Sequence, residues 1–131
     1  MTTPGHTPDC FVCGVLGVDV RVADGRAFAD LLLDERFTGP PTFVHGGVIS
    51  ALLDELLGAA VCVHTPKAMT AHLEVDYRRP WPIGEPARMA GQAERVSERK
   101  LLATGELVGQ DGKVFAEARG LWVVPRRAQP E

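Results

Sequence analysis

The feature that most limits how this chain can fold is one long helical segment, Val48 to His64, set among stretches that read as strands. Val48, Ile49, Leu52, Leu53, Leu56, Leu57, Ala60 and Val61 are apolar and recur at helical spacing. They cover most of the circumference, which predicts a helix buried on nearly all sides. Thr65-Pro66 ends it, because proline disfavours helical geometry in the residue before it. The rest of the chain must therefore wrap around this helix.

The other segments are suited to that. Leu16 to Val22 alternates apolar and polar residues, Asp24-Gly25 supplies a hairpin turn, and Arg26 to Leu33 is the return strand. Thr70 to Tyr77 alternates too, with Ala71, Leu73, Val75 and Tyr77 on one face and Thr70, His72, Glu74 and Asp76 on the other. Ala87 to Ser97, Lys100 to Gly109 and Lys113 to Val124 read as three more strands, the last two joined at Asp111-Gly112. Gly39-Pro40-Pro41 and the prolines between Arg78 and Pro86 make rigid connections. The expectation is an α+β domain: an antiparallel sheet of about six strands around one central helix. The 131 residues suffice for one domain, 1–131, with flexible ends expected at 1–9 and 125–131.

Composition excludes several functions. Lys and Arg total 14 against 17 Asp and Glu, without the basic footprint of a nucleic-acid binder. The longest apolar run, Leu56 to Val63, is far short of the ~20 residues that span a membrane. The start of the chain lacks a basic region followed by an apolar stretch, so a cytoplasmic location is expected. Three cysteines are a poor disulfide framework. Cys10 and Cys13 sit in Cys-Phe-Val-Cys, with His6 nearby, but no second cysteine pair completes a four-ligand zinc site. No metal or cofactor is expected, and a small apolar turn is the preferred reading of the motif.

Chemistry concentrates in His45-Gly46-Gly47, followed along the helix by Asp54 and Glu55. Two glycines at a helix start allow a ligand to approach backbone N–H groups that lack intrahelical acceptors. That arrangement suits an oxyanion hole, though a flexible cap would use the same residues. Gly47, Ser50, Ala51, Asp54, Gly58 and Val61 form one stripe, mostly of small residues, so Asp54 lies on a groove. Glu55 points about 100° away. For His45 a local bond to the backbone is favoured over direct proton transfer, and His72 reads as a surface or interface residue. Arg78 and Arg79, and a second group of Arg95, Arg99 and Lys100, are the local positive charges; each group reads equally as a solvated turn.

The run VHGGVISALLDELLGAA, followed by MTAHLEVDYRRPWPIGEP, resembles the hotdog-fold acyl-CoA thioesterases of the phenylacetate-pathway type, from about Phe37 to Val124. The resemblance implies Asp54 as general base or nucleophile, Gly46 as donor to the thioester oxygen, and Thr70 as the hydroxyl that positions water. It implies Gly47, Arg78, Arg79, Arg95, Arg99 and Lys100 along the substrate, with the basic groups at its nucleotide end. It also implies a dimer or dimer of dimers, Gly46 of one chain facing Asp54 and Thr70 of the other. Several such proteins carry Asn or Gln six residues before the histidine, where this chain has Gly39. That difference keeps a second reading open, a module that binds an acyl-CoA without cleaving it. A hydratase on the same fold is weaker, because no separate acid–base histidine stands on the helix beside Asp54.

Overall fold

The computed structural model describes residues 10–126. The ends expected to be flexible at 1–9 and beyond Arg126 lie outside the described residues, as does His6. Helix α1 spans Gly46–Cys62, beginning and ending two residues earlier than the apolar periodicity suggests. The earlier start comes from its cap: His45 holds an extended backbone and its ring accepts a hydrogen bond from the Gly47 N–H. Leu52, Leu53, Leu56, Leu57 and Ala60 are completely buried, as the nearly all-round apolar pattern requires.

Six strands surround it: β1 (Arg21–Ala23), β2 (Arg26–Leu31), β3 (Met69–Tyr77), β4 (Ala87–Arg95), β5 (Lys100–Gly109) and β6 (Val114–Val123). They form one antiparallel sheet in the order β1-β2-β4-β5-β6-β3. The core lies between this sheet and α1, where Trp81, Met89, Leu101, Leu107 and Phe115 close around the helix. Gly91 and Gly105 sit under Leu56 and Leu57; a Cβ on Gly105 would stand 2.8 Å from Leu56 Cδ2. The sheet thus approaches the helix closely where its strands lack side chains. No helix of the described residues is long and apolar enough to cross a membrane.

The first expected strand is corrected. Only Arg21–Ala23 pairs, although Leu16, Val18 and Val20 are buried as the alternation requires. Gly17 has φ +72°, which breaks the extended run, and Phe11–Val15 forms a turn of π-helix before it. Alternation therefore marked burial there, not sheet pairing. At the β1–β2 turn Asp24 and Gly25 both have positive φ, as a two-residue type I′ hairpin needs. Strand β3 lies at one edge of the sheet, and its outer rim is unpaired among the described residues.

Candidate active site

His45 Nδ1 accepts from the Gly47 N–H at 2.8 Å, so its ring proton belongs on Nε2. This is the local backbone bond expected for His45, and it uses the Gly47 donor. The Gly46 N–H, at the first position of α1, has no intrahelical acceptor. Tyr77, at the end of β3, donates to the Gly46 carbonyl at 2.9 Å and is hydrogen-bonded to the Ser50 hydroxyl. Sequence reading placed Tyr77 on the inner face but missed that its hydroxyl holds the helix start. A Cβ on Gly46 would come no closer than 3.7 Å to its nearest neighbour, the Tyr77 ring. A cavity of about 340 Å³ lies beside the helix start, lined by Phe11, Arg36, Phe37, Thr38, His45, Gly47 and Val48.

At the other end of β3, Thr70 Oγ1 donates to Asp54 Oδ1 at 3.0 Å. Strict alternation would have turned Thr70 outward with His72, Glu74 and Asp76. A β-bulge between Thr70 and His72 changes this: Thr70 pairs with Trp122, His72 with Leu121, and Ala71 is the extra residue. The bulge aims Thr70 at the helix while His72 stays outside, bonded to Glu74 at 3.2 Å. Gly47, Ser50, Ala51, Asp54 and Gly58 are all less buried than the leucine face, so most of the small-residue stripe is accessible. Val61 departs from it and is buried. Across one chain, Gly46 and Asp54 are eight residues apart on α1, which places them roughly 12 Å apart along its axis.

Gly39 has a packing explanation. The Gly39 N–H bonds the Phe43 carbonyl, the His45 N–H bonds the Phe37 carbonyl, and the loop folds back onto itself. A Cβ at Gly39 would stand 2.8 Å from the His45 Cα, so this backbone has no room for a side chain there.

The two basic groups occupy opposite ends of the sheet. Arg78 and Arg79 both bond the Phe115 carbonyl through their N–H groups, whereas Lys100 pairs with Val123. Arg78 is bound to Glu117 at 2.7 Å and Arg79 to Asp111 at 2.9 Å, with the Arg79 guanidinium over the Phe115 ring. Arg95 and Arg99 instead donate to the Glu98 and Val124 carbonyls, and Lys100 is exposed. Glu55 points about 100° around α1 from Asp54, with both carboxylate oxygens 3.9 Å from Cys10 Sγ.

One antiparallel six-stranded sheet curled over a buried helix, with a glycine pair at the helix start and a carboxylate on its open stripe, is a hotdog-fold domain. The family model of the thioesterase superfamily matches residues 42–116, and the chain belongs to that superfamily. Among curated proteins it is similar to acyl-coenzyme A thioesterase THEM4 of Xenopus laevis, 33% identical over 86 residues, 65% of this chain and 39% of that one. The chain thus spans about two-fifths of that relative's length. Among solved structures it resembles a phenylacetic acid degradation-related protein of Ralstonia eutropha JMP134, with 29% identity and a TM-score of 0.77 over 92% of this chain and 94% of that one. The E. coli PaaI protein shares the fold with a TM-score of 0.81, at 20% identity over 89% of this chain and 86% of that one.

Proposed function

We propose that this protein is an acyl-CoA thioesterase, hydrolysing an acyl- or aryl-CoA to the free acid and CoA, with its site shared between two subunits. The observation that carries this reading is the Thr70–Asp54 hydrogen bond, a hydroxyl and a carboxylate side by side at a sheet edge that is unpaired among the described residues. Asp54 takes a proton from water held at Thr70, and that water attacks the thioester carbonyl. The Gly46 N–H receives the charge developing on the carbonyl oxygen, helped by the positive end of the helix dipole. Collapse of the tetrahedral intermediate breaks the C–S bond and releases CoA. With Asp54 as nucleophile, an acyl-carboxylate anhydride forms first and water then cleaves it. Single turnover in H₂¹⁸O tests the second route, since label in Asp54 requires an anhydride opened by water at the aspartyl carbonyl.

The geometry of a two-fold axis supports the shared site. One carbonyl cannot be served by Gly46 and Asp54 of the same chain across roughly 12 Å. Antiparallel pairing of β3 with its copy would set the Tyr77–Gly46 end of one subunit beside the Thr70–Asp54 end of its partner. The same operation would carry Arg78 and Arg79 toward the partner's Arg95, Arg99 and Lys100, joining basic groups that a single chain keeps apart. Met69 and Tyr77 on this edge are 65% and 52% exposed, surface that such pairing would cover. The named activity of the Xenopus relative supports acyl-CoA as substrate class. A cytoplasmic setting belongs to the same proposal, in keeping with three cysteines that form no disulfide among the described residues.

Thiol release measured over a panel of aliphatic and aryl acyl-CoAs tests the reaction. Turnover of at least one ester is expected. No release from any ester, with a non-hydrolysable analogue still bound, would establish the binding module instead. Sedimentation at micromolar concentration should show a dimer or larger species; a 14.1 kDa monomer sinks the shared site.

A further inference from the structure

The Cys-Phe-Val-Cys motif and Glu55 have no part in the proposed chemistry, yet the fold brings them together from 42 or more residues apart. We propose that Cys10, Cys13 and Glu55 form a zinc-binding site that clips the chain's beginning to helix α1. One ligand atom from each residue lies within 4.8 Å of the others, and all three side chains are half-buried. Cys10 Sγ is 3.9 Å from each Glu55 oxygen. Zinc binds thiolate at about 2.3 Å and carboxylate at about 2.0 Å, so tetrahedral corners fall about 3.8 Å apart for two sulfurs and about 3.5 Å for sulfur and oxygen. The three donors need to draw together by no more than about 1.3 Å to meet those spacings. Water completes the fourth position.

The backbone holds the two sulfurs in place. Phe11–Val15 forms a π-turn, with Gly14 N–H bonded to the Cys10 carbonyl at 2.7 Å, and buried Val12 anchors the turn in the core. Glu55 is fixed by its position in the middle of α1. The third ligand was invisible in sequence because nothing in the spacing of Glu55 connects it to the cysteine pair.

The inference is independent of the thioesterase reading and is tested without an activity assay. Full-length protein, made in zinc-supplemented medium and purified under reducing, chelator-free conditions, should hold about one zinc per chain by elemental analysis. Cobalt-substituted protein should show thiolate-to-metal charge transfer and tetrahedral ligand-field bands. Cys10→Ser, Cys13→Ser and Glu55→Gln should each weaken zinc binding by roughly 100-fold in competition with a chromophoric chelator. Cys62→Ser, outside the cluster, should keep the parent affinity. Chelation should lower the melting temperature of the parent and leave that of Cys13→Ser unmoved. Zinc-free protein without a cobalt charge-transfer band overturns the proposal, as does a Cys10–Cys13 disulfide in protein purified under reducing conditions. Undiminished zinc in Glu55→Gln or in either serine variant overturns it too.

Discussion

Replacing Asp54 with Asn separates chemistry from architecture at this site. Asn has nearly the same shape, and its carbonyl oxygen can accept the Thr70 hydroxyl as Asp54 Oδ1 does at 3.0 Å. It cannot take a proton. A positioned general base contributes about 10²–10⁴-fold, so kcat should fall by at least that factor, equivalent to roughly 2.7–5.5 kcal/mol of barrier. Stability should move little. The hydrogen bond loses its ionic partner, worth on the order of 1 kcal/mol, while a half-buried carboxylate no longer has to be desolvated. With these terms opposed, the melting temperature should stay within about 4 °C of the parent. Initial-rate thiol release gives kcat and KM, a thermal melt gives stability, and titration with a non-hydrolysable thioether analogue should show binding within a few-fold of the parent. Parental kcat in a folded Asp54→Asn protein refutes the mechanism. Loss confined to Glu55→Gln would move the chemistry to the other helix carboxylate.

Three other substitutions test the surroundings. Changing Arg95, Arg99 and Lys100 together to Ala should raise KM for the CoA ester far more than it lowers kcat, with the difference shrinking in high salt; an unmoved KM puts the nucleotide elsewhere. Tyr77→Phe removes the hydrogen bond to the Gly46 carbonyl and the contact with Ser50, and should lower kcat several-fold for about 1 kcal/mol of stability; a parental kcat would show that Tyr77 does not position the oxyanion donor. Gly39→Asn forces a Cβ to within 2.8 Å of the His45 Cα, and should cost about 1–3 kcal/mol in denaturant melts without raising turnover; a stable, faster variant would show that the missing amide, not packing, limits this site.

What the sequence disclosed depended on whether each feature follows from local periodicity. The buried helix and five of the six strands did, because apolar spacing records which face meets a core, and that core is shared by α1 and the sheet. Leu16 to Val22 shows the limit: its side chains alternate in and out, but Gly17 at positive φ prevents the backbone from pairing, and burial alone does not reveal that. The site shows the same limit more sharply. Thr70 was chosen by resemblance, while its own alternation pointed it away from Asp54; only an extra residue, Ala71, rotates it inward. A bulge has no reliable sequence mark, because it is set by how β3 and β6 meet and not by either strand alone. Glu55 and Cys10 are likewise joined by tertiary packing across 45 residues. The Asp54–Thr70 and Gly46–Tyr77 contacts lie at opposite ends of one edge strand, antiparallel to the helix. In the proposed dimer, a two-fold axis through that edge would bring the two halves of the site together and cover an edge that is unpaired among the described residues.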